Sequence, residues 1–165
     1  MSEPALTATE TLKWNEATTA NWRKLLAAHP EMLALPCDIA RTSTVAQLLQ
    51  HIVAVELRYA ERILGLPETD YANVPYDSVD AIYTTHDRAM ELYWRALGSE
   101  TTWVQQIDFQ TRTAGTVLTS CKTVLFHAAF HSIRHYAQLS TLIRQHGYKS
   151  DWPGDYLFMD VTRVG

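Results

Sequence analysis

Four helix-length stretches separated by strong punctuation leave this chain of 165 residues few folds to choose from. The first runs from about Thr9 to Ala28 and stops before His29-Pro30. Leu12, Ala20, Trp22, Leu25 and Leu26 give it an imperfect apolar stripe. The second reads Val45 to Leu64, with Leu48, Leu49, Ile52, Val53 and Leu57 inside it. Thr44 followed by Gln47 fits a capping box at its start, and Gly65 and Pro67 close it. The third spans about Val79 to Leu97, after Asp77 or Ser78 as cap and before Gly98. The fourth runs from Cys121 to His146, capped by Ser120 and stopped by Gly147. Helices of roughly 18 to 26 residues can bury one another's apolar faces, which predicts an all-α four-helix bundle.

The connections carry their own signals. Thr101 to Ser120 mixes Trp103, Val104, Ile107, Phe109, Val117 and Leu118 with many Thr and Gln residues. Thr113-Ala114-Gly115 reads as a turn, so this long helix 3–4 connection has room for a short β-ribbon. The tail after Tyr148 holds Trp152, Tyr156, Leu157 and Phe158, and that aromatic content predicts packing onto the body. No internal repeat or interior linker divides the sequence, so residues 1–165 are expected to form a single domain.

Composition excludes several roles. The net charge is −4, with 14 Lys+Arg against 18 Asp+Glu and no basic block, which argues against a phosphate-gripping nucleic-acid surface. No apolar run reaches the roughly 18 to 20 residues of a membrane span. Met1-Ser2-Glu3-Pro4 has neither basic flank nor apolar core, so no secretory signal is expected. Cys37 and Cys121 form no metal or redox pair motif, and reduced thiols in a cytoplasmic protein are expected.

Seven histidines are many for such a chain. Three of them, His127, His131 and His135, stand at i, i+4 and i+8 on the fourth helix. At about 100° per residue, successive members lie only about 40° apart, so they form a slowly drifting column on one face. Random placement of seven histidines would give this pattern roughly 0.007 times. Metal binding explains the spacing, because imidazoles one turn apart can converge on one ion. A third ligand must come from another helix. His51 is the best candidate, since its neighbours Leu48, Leu49, Ile52 and Val53 turn its helix face inward. A lone buried His is more often a hydrogen-bonded core residue; the column together with His51 favours metal. The column holds one ring too many for a single ion, so one member belongs beside the site. His29, His86 and His146 read as surface or structural residues.

These residues resemble the DinB-like family of damage-inducible four-helix proteins and the related YfiT-like metal-dependent enzymes. The resemblance rests on His51, on the run His131-Ser132-Ile133-Arg134-His135-Tyr136-Ala137-Gln138, and on Gly147. It covers nearly the whole chain in helix order. It implies an up-down-down-up bundle, often homodimeric, in which one His from helix two and an H-x3-H pair from helix four hold a metal. Carried over, the triad is His51, His131 and His135. His127 and Gln138 fall in its supporting shell or pocket wall. The family commonly follows its last ligand with Arg-Gly-Gln. Gln138 fits, but Tyr136 and Ala137 depart, which implies a subfamily with a different pocket or interface.

Three neutral imidazoles leave a divalent ion its full charge and an open position, which acidifies bound water or a bound thiol. Nitrogen donors suit Zn or Ni, with Fe, Co or Mn as alternatives. Three readings follow: a thiol-dependent S-transferase using a low-molecular-weight thiol, a hydrolase of a small amide or ester, or a metal-stabilised binding module without catalysis. Each would take a small molecule as partner. Arg58 lies about 20° from His51 on its helix and could bind an anionic substrate, although a solvated arginine is the more ordinary reading. Glu56 lies about 140° away and reads as supporting or surface. Cys121 opens the fourth helix, where a thiol can be activated, but a buried inert cysteine is the commoner case. No H-E-x-x-H, no Ser-His-Asp order and no phosphate loop is present.

Overall fold

The computed structural model describes residues 3–111, 114–162 and 164, with the side chain of Phe109 excepted. It is predominantly helical. The four long helices are α1 (Ala8–Ala28), α2 (Val45–Ile63), α3 (Val79–Leu97) and α4 (Cys121–Gln145). Each boundary falls within one residue of the sequence expectation, because the caps act locally. Thr44, Ser78 and Ser120 each accept from a backbone N–H in the first turn, of Gln47, Ala81 and Thr123 respectively. Ser78, not Asp77, is therefore the cap of α3. Thr7, which the sequence reading passed over, caps α1 in a full capping box: its Oγ1 accepts from Glu10 N at 3.1 Å, and Glu10 accepts from Thr7 N at 2.8 Å. The box expected at Thr44 is incomplete. Gln47 reaches one residue further back and accepts from Ser43 N at 2.8 Å. Gly147 ends α4 at φ 85°, where Tyr148 N can turn back to Ile143 O at 3.0 Å.

The long connection does contain a ribbon. β1 (Gln106–Gln110) pairs antiparallel with β2 (Thr116–Ser120), in the register Gln106 to Ser120 and Gln110 to Thr116. Thr113 of the expected turn lies outside the described residues. The connection also satisfies the start of α4. Cys121 N donates to Gln105 O and Lys122 N to Trp103 O, so two otherwise unpaired helix-terminal groups find partners.

α2 packs on both α3 and α4, and α1 lies against α4 and α3. Two apolar clusters fill the interior. One holds Trp22, Leu26, Leu48, Ile52, Tyr83, Tyr136 and Leu139; the other holds Leu12, Leu57, Ala89, Tyr93, Val124, Leu125 and Ala128. Where one cluster gives way to the other, each helix contributes a buried polar residue: Asn15, Glu56, His86 and Ser132. The tail packs through Trp152, edge-on to Trp22 at 5.4 Å, and through Tyr156 against Trp14. Leu157 departs from the expectation and stays 72% exposed. No helix among the described residues is long and apolar enough to cross a membrane.

Candidate metal centre

Packing α2 against α4 brings His51 to two members of the column. His131 Nε2 lies 3.0 Å from His51 Nε2 and 3.1 Å from His135 Nε2. All three rings offer a nitrogen within 4.8 Å of the others, a group that could hold a metal ion. Zinc–nitrogen bonds of about 2.05 Å at tetrahedral angles put donor atoms about 3.3 Å apart. The observed spacings are close to that, so the three imidazoles fit a small divalent ion.

Proton positions agree with this donor set. His135 Nδ1 donates to Gln138 Oε1 at 2.7 Å, which leaves the lone pair on Nε2. The exposed Arg134 guanidinium donates to the same Nε2 at 3.3 Å, again marking it as an acceptor. Burial foremost, then the neighbouring His51, His135 and His127, push His131 down to about 2. Burial also lowers His135, against the opposing bond from Gln138. Both rings are therefore neutral near pH 7, as ligands must be. His131 Nδ1 is buried without a hydrogen-bond partner among the described residues, so that ring is oriented by packing and by its Nε2 contacts with His51 and His135.

His127 stands outside the trio. Its ring stacks on Tyr59 at 5.8 Å and lies 5.7 Å from His131, forming a wall beside the centre. The remaining histidines divide as their surroundings dictate. His29 is at the surface with Glu31, and His146 is exposed at the end of α4. His86 is the structural one: it lies mid-α3, buried, in an ion pair with Glu56.

Glu56 is the main feature the sequence reading undervalued. It is fully buried, which rules out the surface alternative. Its Oε1 accepts from Asn15 Nδ2 and Ser132 Oγ, and its Oε2 from His86 Nδ1, all at 2.7 Å. Burial acts to raise its pKa, but His86 and the two further donors outweigh burial and hold it below the ordinary carboxylate range. Glu56 in turn lifts His86 above its ordinary value, against the effect of burial. Ser132 sits between His131 and His135, so this bond fixes the turn of α4 that presents them. Asn15 and Ser132 gave no sequence signal, because a single buried polar residue looks like any other until its partner is known.

A cavity of about 200 Å³ opens beside the trio, walled by His51, His131, His127, Arg58, Arg62 and Glu68 among others. A larger one of about 390 Å³ lies between α1 and α3, away from the trio, and its Arg23 is already paired with Asp80 and Asp87. Cys121 is buried, and burial raises its thiol pKa, so its place at the start of α4 does not activate it. Tyr136, in the position of the family's arginine, is a core residue stacked on Trp22 at 5.6 Å. Comparison with curated proteins finds no match to this chain. A family model described as the DinB family matches residues 1–162. Covering nearly every residue, with three convergent histidines inside it, that match shows that the chain belongs to the DinB family.

Proposed function

We propose that this protein is a metal-dependent enzyme in which His51, His131 and His135 hold a divalent ion and a small thiol reacts with an electrophile beside it. The convergence of three Nε2 atoms at the wall of an open cavity carries the reading. Held by these three imidazoles, a divalent ion, Zn or Ni by preference, would supply the Lewis acidity that lowers the pKa of a thiol or water. The chain's residues supply the rest. Gln138 orients His135, Glu56 fixes α4 through Ser132, and His127 with Tyr59 forms an aromatic wall for the substrate.

The scarcity of carboxylates among the described residues walling the cavity favours thiol transfer over hydrolysis. Glu68 is the only acid among the described residues walling the cavity, and it lies at the arginine end, beside Arg58 and Arg62, seven and eleven residues along α2 from His51. A thiol whose proton leaves readily at neutral pH needs less help from a protein base than water does. We also read the molecule as a cytoplasmic homodimer with the helices in up-down-down-up order. The exposed Phe130 beside Phe126 on α4, and two buried free cysteines, support the dimer and the compartment respectively.

The test begins with metal analysis of the purified protein and its His51→Ala and His135→Ala variants. Full occupancy in both variants defeats the triad. Metal-loaded and stripped protein are then offered glutathione, bacillithiol and mycothiol with an aryl halide. Metal-dependent conjugation is expected with one of them. Silence with all three alongside metal-dependent ester cleavage selects the hydrolase; silence in both assays with a raised melting temperature selects the binding module.

A further inference from the structure

His51, Val55, Arg58 and Arg62 stand at i, i+4, i+7 and i+11 of α2, within about 60° of one another around the helix. They make one stripe, and all four wall the cavity that reaches His131. The stripe is cationic at one end. Both guanidiniums hydrogen-bond a single carboxylate, Arg58 to Glu68 Oε1 and Arg62 to Glu68 Oε2. The described walls thus carry two positive charges against one negative charge, an excess of +1 before any metal ion is counted. Arg58 Nε is in addition buried with no acceptor among the described residues.

The Glu68 carboxylate is not needed to tether its own loop. The adjacent Thr69 is clamped by Glu61, its N and its Oγ1 donating to the two carboxylate oxygens at 2.7 Å each. Leu66 N also donates to Glu61 O. The loop is therefore held by Glu61, and Glu68 occupies the arginine pair as a carboxylate from an external molecule would. Burial acts to raise the Glu68 pKa, but the bonds from Arg62 and Arg58 outweigh it, so Glu68 is ionised when it fills that place.

We propose that Arg58 and Arg62 form an anion subsite for the substrate, and that an incoming carboxylate displaces Glu68 to reach them. This deepens the metal-site reading above and rests on it for the reaction, though not for the binding. The α-carbons of His51 and Arg58 are separated by about 10 Å of helix rise, and one continuous cavity joins the two side chains. Its 200 Å³ equals roughly seven waters' share of liquid. The substrate class is therefore a compact organic acid, with its reactive end towards the histidines and its carboxylate towards Arg58. Tyr59, Tyr71 and His127 provide flat walls suited to an aromatic or unsaturated body.

The probe is benzoate, with benzamide as its uncharged control, titrated calorimetrically into zinc-loaded and chelator-stripped protein. Benzoate should bind and benzamide should not. Arg58→Gln should weaken benzoate about tenfold, through loss of a charge-assisted hydrogen bond. Glu68→Gln should tighten it, by roughly fivefold, because the internal competitor is gone. Equal binding of the two probes, no binding of benzoate, or a Glu68→Gln variant that loses thermal stability with benzoate affinity unchanged or reduced overturns the subsite. The two readings separate cleanly. If zinc fails to bind but stripped protein shows these benzoate responses, the metal site is wrong and the subsite stands. If zinc binds and benzoate is indifferent to Arg58 and Glu68, the reverse holds.

Discussion

Glu56→Gln isolates what the buried charge contributes. In the native protein Asn15 and Ser132 both donate to Oε1, and His86 donates to Oε2. A glutamine can keep Oε1 where it is and place its amide nitrogen at the Oε2 position. His86 then sheds its proton and accepts from that amide at Nδ1, so every group keeps a partner. Three charge-assisted bonds become neutral ones, a loss of about 1 kcal/mol each. Relief of the carboxylate's burial penalty offsets part of this, leaving a net cost of about 1–2 kcal/mol. For a chain of this size that is a fall in Tm of about 3–6 °C. Glu56→Ala differs in kind. It strands three donors and opens a cavity, and should cost about 4–5 kcal/mol.

The acidity dependence has a definite sign. Glu56 titrates below the ordinary carboxylate value of about 4.3, so its contribution is present above that pH and is lost as pH falls through its folded value. His86 titrates above the ordinary value of about 6.5, so its contribution is full below that pH and is lost as pH rises through its folded value. The stability gap between native protein and Glu56→Gln should therefore be widest from about pH 4.5 to 6.5 and should narrow on the alkaline side. Urea unfolding in chelator, from pH 4.5 to 9, measures it without metal contributions. A gap that is flat with pH, or a Glu56→Gln as unstable as Glu56→Ala, would refute the charge network.

Three further outcomes are expected. Gln138→Ala should weaken metal binding about 10- to 100-fold in competition titrations, because His135 loses the acceptor that fixes its ring. Ser120→Ala should cost about 1 kcal/mol in urea unfolding, since Thr123 N loses its cap. Zinc at a hundred times its Kd should stabilise the native protein by about 2.7 kcal/mol and leave the Tm of His51→Ala unmoved.

Much of the fold was legible because its signals are short-ranged. Thr44, Ser78 and Ser120 mark helix starts through bonds to residues three positions on, and Gly147 ends α4 through its own backbone freedom. The column of His127, His131 and His135 was equally local, since helical pitch alone places it on one face. The inward histidine, His51, could be inferred from its aliphatic neighbours. Glu56 was another matter. Its angle from His51 was readable, but its fate depended on α1, α3 and α4. Arg62 and Glu68 escaped notice because a second arginine and a loop acid are ordinary surface residues until a cavity unites them with the histidines.

The sequence by itself determined four helices, their ends, and a histidine face able to bind metal. Tertiary structure decided which two of the column's rings meet His51, which face of the centre opens to a cavity, and where the buried charge sits. The physical reason is range. A helix and its caps are set by groups three or four residues apart, whereas Glu56 finds Asn15, His86 and Ser132 at separations of 41, 30 and 76 residues. Only the packing of the four helices brings such partners within hydrogen-bond reach.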